Sequence, residues 1–388
     1  MRGLGNVTAK LGQYRKQWER TMASVAASGP SAVSPPGQDL REVEAFGANP
    51  GNLRMRVHVP DDLPPGAPLV VVLHGCSQTA SGYNHGAGWS TLADRHGIAV
   101  LFPEQQRANN PNLCFNWFQP SDTERGRGEA LSIQRMVERM ILDHGIDRKR
   151  VFVTGLSAGG AMTSVMLATY PEVFAAGAVI AGLPYGSATT VQEAFDGMFK
   201  GTSRPAKEWG DLVRAASPHR GPWPKISVWH GDVDATVKNI NADEIVKQWG
   251  DLHGLAASPS HRETVDGYPR AVWQNQEGED VIESYTLTGM AHGTPLSIGD
   301  GEQGLGAAGP FLLDVGISSS HHIAKFWGLT GQRLEQAPAR AAASVIRLPG
   351  PDSIRPSDEG VRSSNGGQGH DAVEPPGRRP PRRSPSIN

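Results

Sequence analysis

A chain of 388 residues with 38% hydrophobic and 20% charged side chains has enough apolar material for a sizeable core, while 47 Gly and 30 Pro imply many loops. A net charge of -2 supplies no broad field for nucleic acid or an anionic membrane surface, so the expected ligand is small or neutral. No run reaches the roughly 20 apolar residues that a membrane-spanning helix needs, since even the strand-like stretch 68–73 stops at His74.

In chain order, the N-terminus carries Lys10, Arg15, Lys16 and Arg20 without an apolar segment, so no secretory signal is recognisable. Leu11, Trp18 and Met22 fall on one face of a short amphipathic helix, after which Ala, Ser, Gly and Pro dominate. Residues 1–38 therefore read as an appendage with a linker. From 39 to 329, short β-rich runs alternate with helix-length amphipathic stretches, which predicts an α/β domain with a mostly parallel central sheet flanked by helices. Strands are expected at 53–59, 68–73, 98–102, 150–154, 174–181, 226–230 and 281–287. Helices are expected at 129–144, 161–170, 242–253 and 320–327; the first has Ile133, Val137, Met140 and Ile141 at helical spacing and ends at Gly145. Residues 330–388 contain no Phe, Tyr or Trp and hold an Arg run at 378–383 among Pro, Gly and Ser. Such a composition cannot bury enough apolar surface to offset the entropy of ordering, so this tail is expected to be disordered. No internal repeat is present.

Cys76 and Cys114 are the only cysteines. Two are too few for a disulfide framework or an all-Cys zinc site, and counting leaves one bridge or two free thiols open.

The chemistry concentrates in Gly155-Leu156-Ser157-Ala158-Gly159, a G-x-S-x-G motif between a predicted strand and a predicted helix. That context makes the motif a candidate nucleophile elbow. A tight turn crowds the residues two before and two after the serine, hence the glycines, and lifts Ser157 to a helix N-terminus. A serine hydroxyl is a poor nucleophile until a histidine takes its proton, and the histidine needs a carboxylate to fix its tautomer. Downstream, Val228-Trp229-His230-Gly231-Asp232-Val233-Asp234 offers two acids just past a predicted strand, Asp232 and Asp234. Asp234 is favoured, because His230-Gly231 completes the strand and leaves Asp232 to bond the loop. Among 13 histidines, His292 in Gly289-Met290-Ala291-His292-Gly293 has the best context, a flexible loop after the last predicted strand. His321 and His322 fall in a predicted helix, and His253 and His261 lack a strand-end setting. The tetrahedral intermediate needs two backbone amides aimed at its oxyanion. Ala158 supplies one and Cys76, in the loop after the early strand 68–73, the other, while His74 reads as a structural hydrogen-bonding residue. His230, Asp232 and Asp234 lack the ligand spacing of a metal site, and no nucleotide-binding glycine motif occurs, so neither metal nor cofactor is expected.

The ordered combination of Leu73-His74-Gly75-Cys76-Ser77-Gln78, Cys114-Phe115-Asn116-Trp117-Phe118, the serine motif through Gly160, the His-Gly-x-x-Asp run ending at Asp234, and Gly316-Ile317-Ser318-Ser319-Ser320 with Phe326-Trp327-Gly328-Leu329 resembles the esterase family of poly(3-hydroxybutyrate) depolymerases, of the α/β-hydrolase superfamily. The resemblance covers about residues 39–329. It implies a serine esterase with Ser157, Asp234 and His292 as triad, Cys76 and Ala158 as oxyanion-hole amides, and a Cys76–Cys114 disulfide. Trp117 and Phe118 then line an acyl or polymer crevice, with ordinary aromatic packing as the equal alternative. The implied substrate is poly(3-hydroxybutyrate) or its oligomers. Family branches that cleave feruloyl or acetyl esters of plant polysaccharide give the alternative, and a non-catalytic polyester-binding protein is the rival of a different class. Secreted polymer-degrading relatives carry a signal peptide and a separate polymer-adsorbing domain, neither of which is recognisable here, so a soluble or oligomeric ester fits better than crystalline polymer. The family and the implied bridge point to an extracellular setting; the N-terminal sequence does not. Oligomeric state is not legible.

Overall fold

The computed structural model describes residues 40–331 and, before them, only Gly12 and Lys16. Leu11, Trp18 and Met22, on which the expected appendage helix rests, and residues 332–388 of the expected tail lie outside the described residues.

The frame is a ten-stranded sheet in the order β1-β2-β4-β3-β5-β6-β7-β10-β9-β8. Its strands are β1 (Arg41–Glu42), β2 (Arg54–His58), β3 (Leu69–Leu73), β4 (Ala99–Glu104), β5 (Val151–Leu156), β6 (Ala176–Ile180), β7 (Lys225–Gly231), β8 (His261–Val265), β9 (Tyr268–Gln274) and β10 (Asp280–Leu287). The block β4-β3-β5-β6-β7-β10 is parallel, and antiparallel strands close both edges. A separate two-stranded piece pairs β11 (Thr294–Leu296) with β12 (Leu312–Asp314).

Crossover helices cover both faces, as a parallel sheet requires. On one side lie α4 (Gly128–His144), α5 (Ala158–Thr169) and α8 (Ile240–His253), and on the other α1 (Ala80–Ala87), α2 (Trp89–His96) and α9 (Ser319–Phe326). The remaining helices are α3 (Pro120–Thr123), α6 (Val191–Lys200) and α7 (Ala206–Ala216). Strand β3 shows why the layers form: all five residues are apolar and buried, with Leu69, Val71 and Leu73 in the first core and Val70 and Val72 in the second. Each such side chain contributes about 1.5–3 kcal/mol on burial.

All seven expected strands and all four expected helices are present, with ends shifted by a few residues. The hairpin β8–β9 was not expected. Its two-residue turn, Asp266-Gly267, has φ of 49° and 87°, the conformation that Asp-Gly favours in hairpins. His261, read without a strand context, opens β8. Helices α1, α2, α3, α6 and α7 were also unexpected. Helix α1 contains Gly82 and Gly86, which weaken its local signal, and a Cβ at Gly86 would stand 2.0 Å from Leu312. Among the described residues, no helix is long and apolar enough to cross a membrane.

Candidate active site

Ser157 stands alone between the end of β5 and the start of α5, with φ 58° and ψ -117°. A non-glycine residue in this region is strained by about 1–3 kcal/mol and persists where the surroundings over-determine it. Here the Ser157 amide donates to Ile180 O at 2.9 Å and its carbonyl accepts from Ala161 N at 2.8 Å. The flanking glycines are demanded by space: a Cβ at Gly155 would lie 2.4 Å from Gly159 O, and one at Gly159 would lie 2.2 Å from Leu73 O. Both sides of the turn therefore press against the end of β3.

Asp234 and His292 meet. Parallel strands β5, β6, β7 and β10 are successive neighbours, so the loops after them open at one edge of the sheet. Asp234, 2% exposed after β7, accepts Thr236 N and Val237 N on Oδ1, each at 2.8 Å, and meets His292 Nδ1 at 2.7 Å on Oδ2. An ionised carboxylate only accepts, so Nδ1 is the nitrogen that donates here and Nε2 is the one turned away from Asp234. Burial pushes the Asp234 carboxyl up, but attraction to His292 in its protonated form and hydrogen bonds from His230 and His292 outweigh it and hold the group well below the usual carboxylate range. Asp232, the competing acid, instead accepts Gly289 N at 2.7 Å and fastens the His292 loop at its start. His230 turns Nε2 to Val237 O at 2.8 Å and comes within 3.4 Å of Asp234. His321 and His322 sit buried in α9, and His322 pairs with Asp266 at 2.8 Å.

The other wall is built on Cys76. Cys76 and Cys114 are joined in a disulfide that spans 38 positions, and Ser77 N donates to Asn112 O at 2.7 Å beside it. His74 uses both nitrogens: Nδ1 donates to Gly75 O at 2.8 Å and Nε2 accepts Gln105 N at 3.1 Å. Burial lowers its basicity, and the residue is a strut. The amides of Cys76 and Ala158 donate to no acceptor among the described residues, and both residues line the crevice that holds Ser157.

That crevice has a volume of about 370 Å³, within the range of small-molecule sites. Trp117 and Phe118 line it, packed edge to face at 5.5 Å, together with Leu183, Ala194, Met198 and Val237. Beneath the Cys114 segment, buried Glu129 accepts Gln105 Nε2 at 2.6 Å, Asn116 N at 2.9 Å and Asn116 Nδ2 at 2.9 Å. Burial pushes its carboxyl up to about 8, against those three bonds. Helix α6, which supplies Ala194 and Met198, escaped the sequence reading. Its signal was a capping box: Thr190 Oγ1 accepts Glu193 N at 3.2 Å while Glu193 accepts Thr189 N at 2.8 Å.

Residues 60–268 match the family model described as Esterase PHB depolymerase. The chain is 50% identical to poly(3-hydroxyalkanoate) depolymerase C of Paucimonas lemoignei over 293 residues, covering 75% of this chain and 70% of that one. It is 36% identical to an acetylxylan esterase of Coprinopsis cinerea over 278 residues, 70% of this chain and 73% of the relative. Among solved structures, an acetyl xylan esterase from Aspergillus awamori superposes with a TM-score of 0.64 at 26% identity, covering 75% of this chain and 99% of that one. With its parallel sheet, flanking helices and half of the 293 aligned positions shared with a depolymerase of the group, the chain is an α/β-hydrolase serine esterase and belongs to the family of poly(3-hydroxybutyrate) depolymerase esterases.

Proposed function

We propose that the enzyme cleaves esters of 3-hydroxybutyrate, in oligomers or accessible polymer, with Ser157 as nucleophile, His292 as general base and Asp234 as the acid that orients it. The observation that carries this reading is the 2.7 Å bond from His292 Nδ1 to Asp234, which leaves Nε2 free to accept a proton. Ser157 Oγ attacks the ester carbonyl as Nε2 takes its proton, and the oxyanion meets the undonated amides of Cys76 and Ala158. Each such donor is worth about 3 kcal/mol where one has been removed by mutation. The imidazolium then protonates the leaving alkoxide, and a water activated by the same Nε2 hydrolyses the acyl-enzyme. The strained backbone of Ser157 supports the assignment, since such strain collects where function requires it.

The crevice supports the acyl choice. Trp117, Phe118, Leu183 and Met198 suit a short aliphatic acyl group. The depolymerase of Paucimonas lemoignei favours the hydroxyalkanoate. A second reading, acetyl ester hydrolysis on xylan, is favoured by the similarity to acetylxylan esterases. The disulfide supports an extracellular, oxidising setting.

The test offers wild type and Ser157→Ala p-nitrophenyl butyrate, 3-hydroxybutyrate oligomers, amorphous poly(3-hydroxybutyrate), acetylated xylan and methyl ferulate. Wild type is expected to release 3-hydroxybutyrate, with Ser157→Ala inactive on every ester. Equal turnover by both proteins would overturn the nucleophile, and release of acetate from xylan without any hydroxybutyrate would move the substrate to the second reading.

A further inference from the structure

A second cleft, of about 520 Å³, lies beyond Trp117 and Phe118, and these two side chains line both it and the Ser157 crevice. The segment after β6 borders both hollows as well, with Leu183 in the crevice and Tyr185 and Ala188 in the cleft. Helix α3 contributes Pro120, and α7 contributes Leu212 and Ala215. One aromatic wall therefore separates the candidate catalytic crevice from a cavity at least as large.

The lining says what kind of ligand fits. Its charged side chains are already paired: Arg125 binds Glu172 at 2.6 Å and the Thr169 carbonyl, and Glu124 binds Arg127 at 2.9 Å. An anion finds no unpaired cation there. Leu212, Ala215 and Ala188 present apolar surface, and Tyr185 adds a phenol hydroxyl to the lining. A polyol such as a sugar chain needs many donors and acceptors, and leaving them unmade is costly. A polyester of a short hydroxyacid brings one methyl and one accepting carbonyl per repeat, which matches apolar walls with a few donors such as the Tyr185 hydroxyl.

We propose that this cleft is a distal subsite for a neutral oligoester chain, in which repeats beyond the one being cleaved pass over Trp117 and Phe118 and lie against Leu212 and Ala215, with an ester carbonyl on the Tyr185 hydroxyl. The proposal rests on the polyester reading above. Binding energy gathered there is available to the reaction at Ser157, so longer oligomers react faster than short ones.

The experiment compares kcat/KM of the full chain on p-nitrophenyl butyrate and on linear 3-hydroxybutyrate dimer, trimer and tetramer. Two variants are used: Ala215→Trp, at an exposed position where an indole fills the cleft, and Tyr185→Phe, which removes only the donor. In wild type, kcat/KM rises from dimer to tetramer. Ala215→Trp lowers the tetramer value about tenfold and flattens the length dependence, while p-nitrophenyl butyrate, which reaches only the crevice, stays within about twofold. Tyr185→Phe lowers the tetramer value by about fivefold, the worth of one net hydrogen bond. If wild type cleaves oligomers and both variants keep its length dependence, the subsite is overturned and the polyester reading stands. If wild type cleaves no oligomer, the polyester reading falls and the subsite falls with it. If Ala215→Trp loses activity only on acetylated xylo-oligosaccharides, the proposed occupant is wrong.

Discussion

The carbonyl oxygen of Met290 occupies the space that a side chain on Gly231 would need: a Cβ there would stand 2.1 Å from Met290 O, with Ala291 O at 2.9 Å. The loop after β10 therefore folds back across the end of β7, and that fold brings His292 to Asp234. The φ of Gly231 is not positive, so alanine is excluded by space and not by backbone conformation. Gly231→Ala is expected to displace the His292 loop while the sheet stays intact. A displacement of about 1 Å at a catalytic group costs about a hundredfold, so kcat/KM on p-nitrophenyl butyrate should fall by that order. Overpacking of this kind costs about 1–3 kcal/mol in stability. Retention of wild-type kcat/KM by a folded Gly231→Ala protein would show that the loop does not depend on this contact.

The two carboxylates after β7 should separate cleanly by mutation. Asp234→Asn keeps the shape but lets the amide donate to His292, which favours the wrong imidazole tautomer; such a change costs about 10⁴ in kcat where it has been measured in a serine protease. Asp232→Asn leaves one acceptor for Gly289 N and touches no catalytic group. Its kcat is expected to fall by no more than about tenfold, the difference between a charge-assisted bond and the neutral one that replaces it. Steady-state kinetics of both variants checks the assignment, and a larger loss in Asp232→Asn would reverse it.

Much of the geometry of this candidate site is legible in the sequence, because its constraints are local. Gly155 and Gly159 flag a turn with no room for side chains, and the alternation of apolar runs with amphipathic ones predicts the parallel block that aligns the loops after β5, β7 and β10. The preference for Asp234 over Asp232 rested on where β7 ends, which the structure places at Gly231. What escaped was non-local. Val237 and Leu183 enter the crevice through loops whose course depends on packing, and α6 is recognisable only through the Thr190 and Glu193 capping box. Glu129 is the sharpest case: it reads as the first acidic residue of an amphipathic helix, yet it is buried and ties Gln105 to Asn116 beneath the Cys114 segment. Nothing in its neighbours along the chain announces that contact.

The Cys76–Cys114 bridge joins the loop that offers one candidate oxyanion amide to the segment that carries Trp117. A loop of 38 positions confers about 4 kcal/mol through the entropy of the unfolded chain. Cys114→Ser is expected to lower stability by about that amount and to reduce kcat beyond it, since the Cys76 loop loses its covalent anchor to the Cys114 segment while the bond from Ser77 N to Asn112 O remains. Urea denaturation with and without a reducing agent measures the first effect, and turnover at a temperature well below melting measures the second. A variant with reduced stability and unchanged kcat would mean that the bridge serves the fold alone.

Stability should also carry the mark of one buried acid that does not line the Ser157 crevice. Glu283 lies on β10 directly opposite Ser227 of β7, accepts its hydroxyl at 2.6 Å, and pairs with Arg270 of β9 at 2.7 Å. Burial pushes its carboxyl up to about 7 from 4.5, although Arg270 and Ser227 pull the other way. Because the folded value is raised, the folded protein holds a proton that the unfolded chain has released between these two values. The stabilisation is therefore complete below about pH 4.5 and is lost as pH rises towards 7, by about 3 kcal/mol at most. Glu283→Gln keeps an acceptor for Arg270 and gives Ser227 a donor, with no proton to lose. Unfolding free energies at intervals between pH 4.5 and 8 should fall more steeply for wild type than for Glu283→Gln, and parallel curves would show that Glu283 stays ionised inside the sheet, held by Arg270.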